Sequence, residues 1–267
     1  MAHMVELASD CASCSGLCCV ALQFNEGSGF ARSKKIGEAC INLAADDGCQ
    51  IHDRLRESGW SGCTVFECYG AGQRMTAAAG SWRDSAHPGR LFATFSALQA
   101  LHEMLFLLER APVTPSTDDE RRLAYDDAAQ LAESEASRPA RKVELAHRWQ
   151  PIGALRSRVG ALLTAISDEV RAPYDGIDLS YQDRVAHDLR DTRLRGGSLR
   201  GATLIQADLR GADLTACDLL GVDLRDADLR GAWLSGSLFL TQPQINAATG
   251  DAATTLPPGI QRPRHWG

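Results

Sequence analysis

The chain has 267 residues, enough for one large domain or two to three small modules with a real core, so a mini-protein is excluded. Its longest unbroken apolar run, Leu17 to Leu22, falls far short of the roughly 20 residues that span a bilayer, and no charged start leads into an apolar stretch. With 28 Lys and Arg against 34 Asp and Glu the net charge is −6, which argues against broad affinity for nucleic acid or an anionic membrane, and the expectation is a soluble cytoplasmic protein.

Cysteine placement divides the chain. Eight of the nine cysteines lie within the first 68 residues, and the ninth stands alone at Cys217. Met1 to Met4 reads as a cloning remnant ahead of a native start. After it come a cysteine-cluster, metal-binding segment over 5–72, a helical module over 73–172, a five-residue repeat over 176–240, and a cap and tail over 241–267. The expected fold class is therefore mixed and multi-module.

The front segment carries the chemistry. Cys11-Ala-Ser-Cys14-Ser-Gly-Leu-Cys18-Cys19 packs four thiols into nine residues, and Cys40, Cys49, Cys63 and Cys68 supply four more. A two-residue gap lets both thiolates of a Cys-X-X-Cys reach one metal, with backbone amides around the turn stabilising their charge. Adjacent Cys18 and Cys19 point different ways and so serve different roles or different metals. Disulfides need an oxidising compartment that no export signal indicates, so metal binding is the preferred reading. Knuckles at Cys11/Cys14 and Cys63/Cys68 would make a zinc module but leave four thiols over. Eight cysteines in mixed spacing suit an iron–sulfur cluster of the [4Fe-4S] type with extra ligands, zinc being the alternative, although no Cys-Pro follows the run. His52, three residues past Cys49, reads as a residue beside the site rather than a ligand. Gly70-Ala-Gly72-Gln73 lacks the third glycine and the preceding strand of a nucleotide loop, and no histidine has catalytic context, so nothing specifies an enzyme.

The middle zone reads as helix. Leu91, Phe92, Phe95, Leu98, Leu101, His102, Leu105 and Leu108 recur at three- and four-residue spacing, with His102 a core residue. Pro112 to Ser116 forms a connector. A second helix starts at Thr117 or Asp118 on an acidic first turn and runs to about Ser134. Pro139 opens a third, and Pro151 begins a fourth that stops before Pro173.

The third zone has a strict period. Leu189, Leu194, Leu199, Leu204, Leu209, Leu214, Leu219, Leu224, Leu229 and Leu234 recur every fifth residue, each with a mostly small residue two before it, Cys217 among them. Five matches neither helix nor strand, so the chain turns a corner once per repeat and closes a coil after twenty residues. Leu and the small residue point inward. Asp188, Asp208 and Asp228 stack outward beside Arg190, Arg210 and Arg230, and Leu220, Leu238 and Leu240 form an outward apolar strip that docks the helical zone or a partner. Leu179 begins one degenerate coil with Arg184 at the Leu position. Thr241 caps a short helix through Ala248 that covers the open coil end.

This zone resembles the pentapeptide-repeat proteins, whose consensus Ala-Asp/Asn-Leu-X-X is matched by Ala207-Asp208-Leu209, Ala212-Asp213-Leu214 and Ala227-Asp228-Leu229. The resemblance implies a right-handed quadrilateral β-helix. Some members mimic DNA and protect DNA gyrase with a long acidic rod, whereas Asp188 to Arg230 holds eight Asp against seven Arg, so that reading ranks lowest. The front segment resembles a zinc- or iron-chelating cysteine-cluster family that includes flagellin N-methylase, through Cys11, Cys14, Cys18, Cys19, Cys40, Cys49, Cys63 and Cys68. The Arg-Pro usual after that family's sixth cysteine is absent, since Arg54 precedes Leu55 and Arg56 precedes Glu57. The resemblances imply an iron–sulfur protein whose β-helix is a scaffold or partner-binding surface. The alternative is a zinc-stabilised interaction scaffold. A homodimer through β-helix ends is expected unless the tail after Thr241 blocks it.

Overall fold

The computed structural model describes residues 5–139, 142 and 145–267, so the reading of Met1 to Met4 as a cloning remnant lies outside the described residues. Two compact units emerge. The first comprises Met1–Glu109 and Asp118–Leu162, the second Arg110–Thr117 and Leu163–Gly267. The division falls inside a helix rather than at the compositional change near residue 172.

In the first unit, α1 (Leu17–Ala21) and α2 (Ser61–Thr64) are single turns within a loop-rich segment, and α3 (Ala71–Ala79) follows. The long helix α4 (Pro88–Arg110) forms where the apolar periodicity places it, with Leu91, Phe95, Leu98, Leu101, Leu105, Leu108 and His102 all buried. By length and a mean hydropathy of 1.5 it is the one helix among the described residues that could cross a membrane. Its apolar residues are instead buried inside the protein. Helix α5 (Asp118–Ala136) starts on the acidic turn, where Asp118 accepts from Arg121 at 2.7 Å and Arg122 at 2.5 Å.

The helix expected to open at Pro151 begins earlier, as α6 (Leu145–Arg171) with Pro151 inside it, while the start expected at Pro139 leads into residues 140–141 and 143–144, outside the described residues. A proline within a helix costs about 3 kcal/mol, so something must hold the turn ahead of it. Arg148 does so: it is buried, donates to Thr94 Oγ1 at 2.8 Å and pairs with Glu135 at 3.4 Å. Past the proline, Ile152, Leu155, Val159, Leu162, Leu163 and Ile166 continue one buried stripe.

In the second unit the repeats stack with a register of twenty. Parallel bridges join Asp178 to Ser198, Asp183 to Thr203, Asp188 to Asp208, Ser198 to Asp218, Asp208 to Asp228 and Asp213 to Trp233. Backbone bonds run with them, such as Leu209 N–H to Asp228 O at 2.9 Å and Asp208 N–H to His187 O at 2.9 Å. Among the described residues these remain isolated bridges and no strand forms, so the expected β-helix is present only as a ladder of single pairings. The inward set is as the period requires: the repeated leucines from Leu189 to Leu234 are buried, together with Ala202, Ala207, Ala212, Cys217, Val222, Ala227 and Ala232. Leu179 is buried too, and its degenerate coil pairs with the next.

Of the two readings of the apolar strip, the open partner-binding patch fails. Leu238 and Leu240 are each only 5% exposed and Leu220 is half-buried, so the apolar strip is no surface patch. Leu240 belongs to the coil core, beside Ile245, Ala248 and Trp266 of the tail. Stacking arithmetic places a residue outside its coil but says nothing of what folds over it. The tail covers the last repeats as expected. Helix α7 (Gln242–Ala247) opens at Thr241, whose N–H donates to Gln244 Oε1 at 2.8 Å. Thr249 and Thr255 then extend the ladder to Asp228 and Trp233.

Candidate functional site

All eight front cysteines fall in the first unit, and all are free thiols. Asp10 caps the turn Cys11–Ser13 by accepting from Ala12 N–H at 3.0 Å, and the αL residue Gly16 (φ 68°) leads into α1, which carries Cys18 and Cys19. Bridges Phe24 to Lys34 and Leu43 to Cys49 fold the following loops, Cys63 sits on α2, and Cys68 stands three residues ahead of the start of α3.

Backbone N–H groups favour the ionised form of four thiols: those of Gly16 and Leu17 at Cys14, its own and that of Cys19 at Cys18, that of Asn42 at Cys40, and that of Ile51 at Cys49. Of these, only Cys14 belongs to the Cys-X-X-Cys pair from which the spacing argument came. The thiolate is the ionisation state that a metal needs.

The thiols divide by surroundings. Cys19 and Cys40 are buried in one apolar cluster with Phe24, Ile51 and Trp60, and Cys18, Cys49 and Cys63 pack against it. Phe24 stacks on Phe30 at 4.3 Å, with Trp60 edge-on at 5.9 and 6.1 Å. The Lys34 ammonium lies 4.5 Å over the Phe24 ring and donates to Leu22 O. Away from this cluster, Cys11 is exposed with its Sγ 3.9 Å from His52 Nε2, and Cys68 Sγ is 3.1 Å from Ser9 Oγ. Cys14 and Cys68 converge on Gly72, where a Cβ would stand 2.7 Å from Cys14 Sγ and 3.7 Å from Cys68 Sγ.

Electrostatics follows the division. The proximity of Cys19 to Cys18 and Cys40 raises its own pKa and lowers theirs. Cys40 falls to about 6, through the neighbouring Cys19, the Asn42 N–H and the Lys34 charge. Burial pushes Cys11 up to about 11 and Cys63 up to about 12, and raises Cys14 and Cys49. Among the described residues, no three His, Cys, Asp or Glu side chains stand in metal-holding geometry. The donor chemistry suits a thiophilic metal, while the side chains bond in pairs instead of converging on one point.

Lys34, Gly72, Ser9 and the Phe24/Phe30/Trp60 trio went unread in the sequence. Lys34 carried a signal, since the chain holds only three lysines and two of them stand between Cys19 and Cys40. Gly72 carried another in the Gly-Ala-Gly that follows Cys68. The aromatics gave none, because only folding brings residues 24, 30 and 60 together.

The pentapeptide repeats family matches residues 188–219 and 204–239, with eight copies. The uncharacterized protein YybG of Bacillus subtilis is 42% identical over 273 residues, covering 98% of this chain and 95% of that protein. Two solved structures are also similar. A pentapeptide repeat protein from the thylakoid lumen of Arabidopsis thaliana is 30% identical with a TM-score of 0.23, over 31% of this chain and 56% of that one. Rfr23, a pentapeptide repeat protein from the cyanobacterium Cyanothece, is 30% identical with a TM-score of 0.23, over 30% of this chain and 56% of that one.

Proposed function

The chain belongs to the family of Bacillus subtilis YybG and carries pentapeptide repeats over residues 188–239, and from that footing we propose that it is a cytoplasmic metal-binding protein. Its centre is an iron–sulfur cluster on Cys11, Cys14, Cys18, Cys19, Cys40, Cys49, Cys63 and Cys68, carried by a cysteine-cluster domain fused to a quadrilateral β-helix. What supports this is the backbone amide environment that favours the ionised form of Cys14, Cys18, Cys40 and Cys49, within a segment whose eight thiols are all free. When bound, such a cluster supplies one-electron transfer. The residues around it prepare the site: Lys34 offsets thiolate charge, and Phe24, Phe30 and Trp60 keep water from the buried thiols.

Zinc is the second reading. The paired side chains favour it, because a closed tetrathiolate acts as a staple for a segment with few large apolar residues. In both readings the repeat coil is a scaffold for a protein partner. A homodimer through the C-terminal coil end is disfavoured, since Thr249 and Thr255 already occupy that edge. The gyrase-protecting reading loses ground as well: Asp188, Asp208, Asp223 and Asp228 are each closed on the Arg two residues later, at 2.5 to 2.6 Å. A face of paired charges does not imitate DNA.

The test is anaerobic purification followed by iron, zinc and acid-labile sulfide determination. About four irons and four sulfides per chain, with visible absorbance lost in Cys14→Ser and Cys49→Ser, is the expected result. One or two zincs without sulfide would establish the staple instead. Absence of both metals would overturn metal binding.

A further inference from the structure

The coil face that meets the end of α6 breaks the repeat chemistry seen elsewhere. On the column of Asp188, Asp208 and Asp228, every Asp is followed two residues later by an Arg that closes back on it. On the column of Asp178, Ser198 and Asp218 the residues two later are Ser180, Arg200 and Leu220. Arg200 turns to the next coil and grips Asp218 at 2.7 and 3.0 Å, the Asp218 side chain being buried and that of Arg200 half-buried. Asp178 keeps no arginine two residues on; it accepts from Ser180 N–H at 2.8 Å and is exposed. Beside this column a cavity of about 540 Å³ opens, walled by Asp168 and Arg171 of α6. That is the size of ordinary small-ligand sites.

Tyr181 stands at the lip of the cavity. Its position, two past the central Leu, is the corner of the repeat, where the backbone turns left-handed. Ten corners have positive φ, and five of them are glycine. Tyr181 adopts φ 59° and is 76% exposed, so this aromatic accepts a disfavoured backbone and gains no burial in return. Its ring lies against Gly201, where a Cβ would be 2.7 Å from Tyr181 Cδ1. The ring is thus anchored on its Cδ1–Cε1 side and otherwise open.

The charges in the cavity are mostly spent on each other. Arg200 is held by Asp218, and Arg171 by Asp168 at 2.8 Å. Locked pairs of this kind offer directional donors and acceptors with no surplus positive charge to hold an anion. Ser198, which accepts from Ser180 Oγ at 2.7 Å, and the Asp178 carboxylate add further polar groups. Vicinal hydroxyls, which donate and accept at once, are the complement of such a set. A flat aromatic is the complement of the C–H face of a pyranose.

We propose that this cavity binds a neutral sugar ring, stacked on Tyr181 and hydrogen-bonded by Asp178, Arg171 and the Arg200–Asp218 pair. The site lies wholly in the second unit and does not depend on the thiols.

Saturation-transfer NMR on the full chain tests it, with methyl glucoside, methyl galactoside and N-acetylglucosamine as probes and citrate as the anionic control. Saturable transfer from at least one sugar is expected, weakened about tenfold or more in Tyr181→Gly and in Asp178→Asn. Tyr181→Gly installs the residue the corner prefers, so its melting temperature should not fall and lost binding cannot be blamed on unfolding. No transfer from any of the three sugars, wild-type binding by Tyr181→Gly, or tighter binding of citrate than of every sugar would each overturn the proposal.

Discussion

Gly72 shows how one missing side chain makes room for two thiols. A Cβ there would meet Cys14 Sγ at 2.7 Å, closer than real contacts allow, so Gly72→Ala must push Cys14 from its amide donors. We expect this variant to lose at least half of its bound metal and roughly 1–3 kcal/mol of stability. Metal analysis beside urea unfolding checks both, and full metal content would show that Cys14 is no ligand. His102 makes a second case. It is fully buried, its Nδ1 bonded to Tyr69 O at 2.7 Å and its Nε2 to Arg74 at 3.1 Å, and burial holds its pKa down at about 4. The folded protein resists a proton that the unfolded chain accepts below about pH 6.5. Stability is therefore complete above pH 6.5 and declines as pH falls toward 4, by up to about 3 kcal/mol. Unfolding followed from pH 7 to pH 4 should show this slope in the wild type and a shallower one in His102→Gln; parallel slopes would place the acid sensitivity elsewhere.

The repeat coil separates what holds an element together from what decorates it. Leu209 is fully buried among its stacked neighbours, so Leu209→Ala should cost about 2–5 kcal/mol. Arg210 lies outside, 43% exposed and paired with Asp208, and Arg210→Ala should cost no more than about 1 kcal/mol. Denaturant midpoints of the two variants decide the matter, and equal losses would mean that the charged ladder carries the coil. The same contrast explains what the sequence could reveal. A period of five forces corners and an inward Leu, so the coil, its core and the buried Cys217 were legible from spacing alone. The sustained apolar stripe likewise announced α4, and acidic residues fixed the start of α5. The start of α6 ahead of Pro151 was not legible, because Pro151 is a local breaker and the buried Arg148 that opposes it acts through partners on α4 and α5. Leu240 was misplaced for a related reason: Ile245, Ala248 and Trp266 of the tail, which share its core cluster, return from beyond the repeat. At the candidate site, the cysteines and the amide support of Cys14 could be read from Cys-X-X-Cys. Which thiols share surroundings could not, since Cys19, Cys40, Cys49 and Cys63 meet through loops whose spacing carries no such information.

The two units use different means of stabilisation, and this difference makes the role of the cysteines measurable in the whole molecule. The second unit stacks the same Leu and small-residue core again and again, with ladder bonds from each coil to the next. The front of the first unit has no such supply: its cluster comprises a few large side chains, Phe24, Phe30, Ile51 and Trp60 among them, with five cysteines in between. Thiols are small, and burying them contributes little against the conformational entropy of a long looped segment. A bound metal would hold that segment in both readings of the centre, because binding free energy at such sites is folding free energy. Removing metal under reducing conditions should then open the front of the first unit and spare the coil. Hydrogen exchange gives the readout by position. Amides of Cys40, Gln50 and Trp60 should lose protection after chelation, whereas those of Leu204, Leu209 and Leu214 keep theirs. Loss of protection in both sets would mean that the units unfold as one. No loss in either would mean that aromatic packing and loop hydrogen bonds hold the thiol segment by themselves, which would remove the staple from any account of this fold.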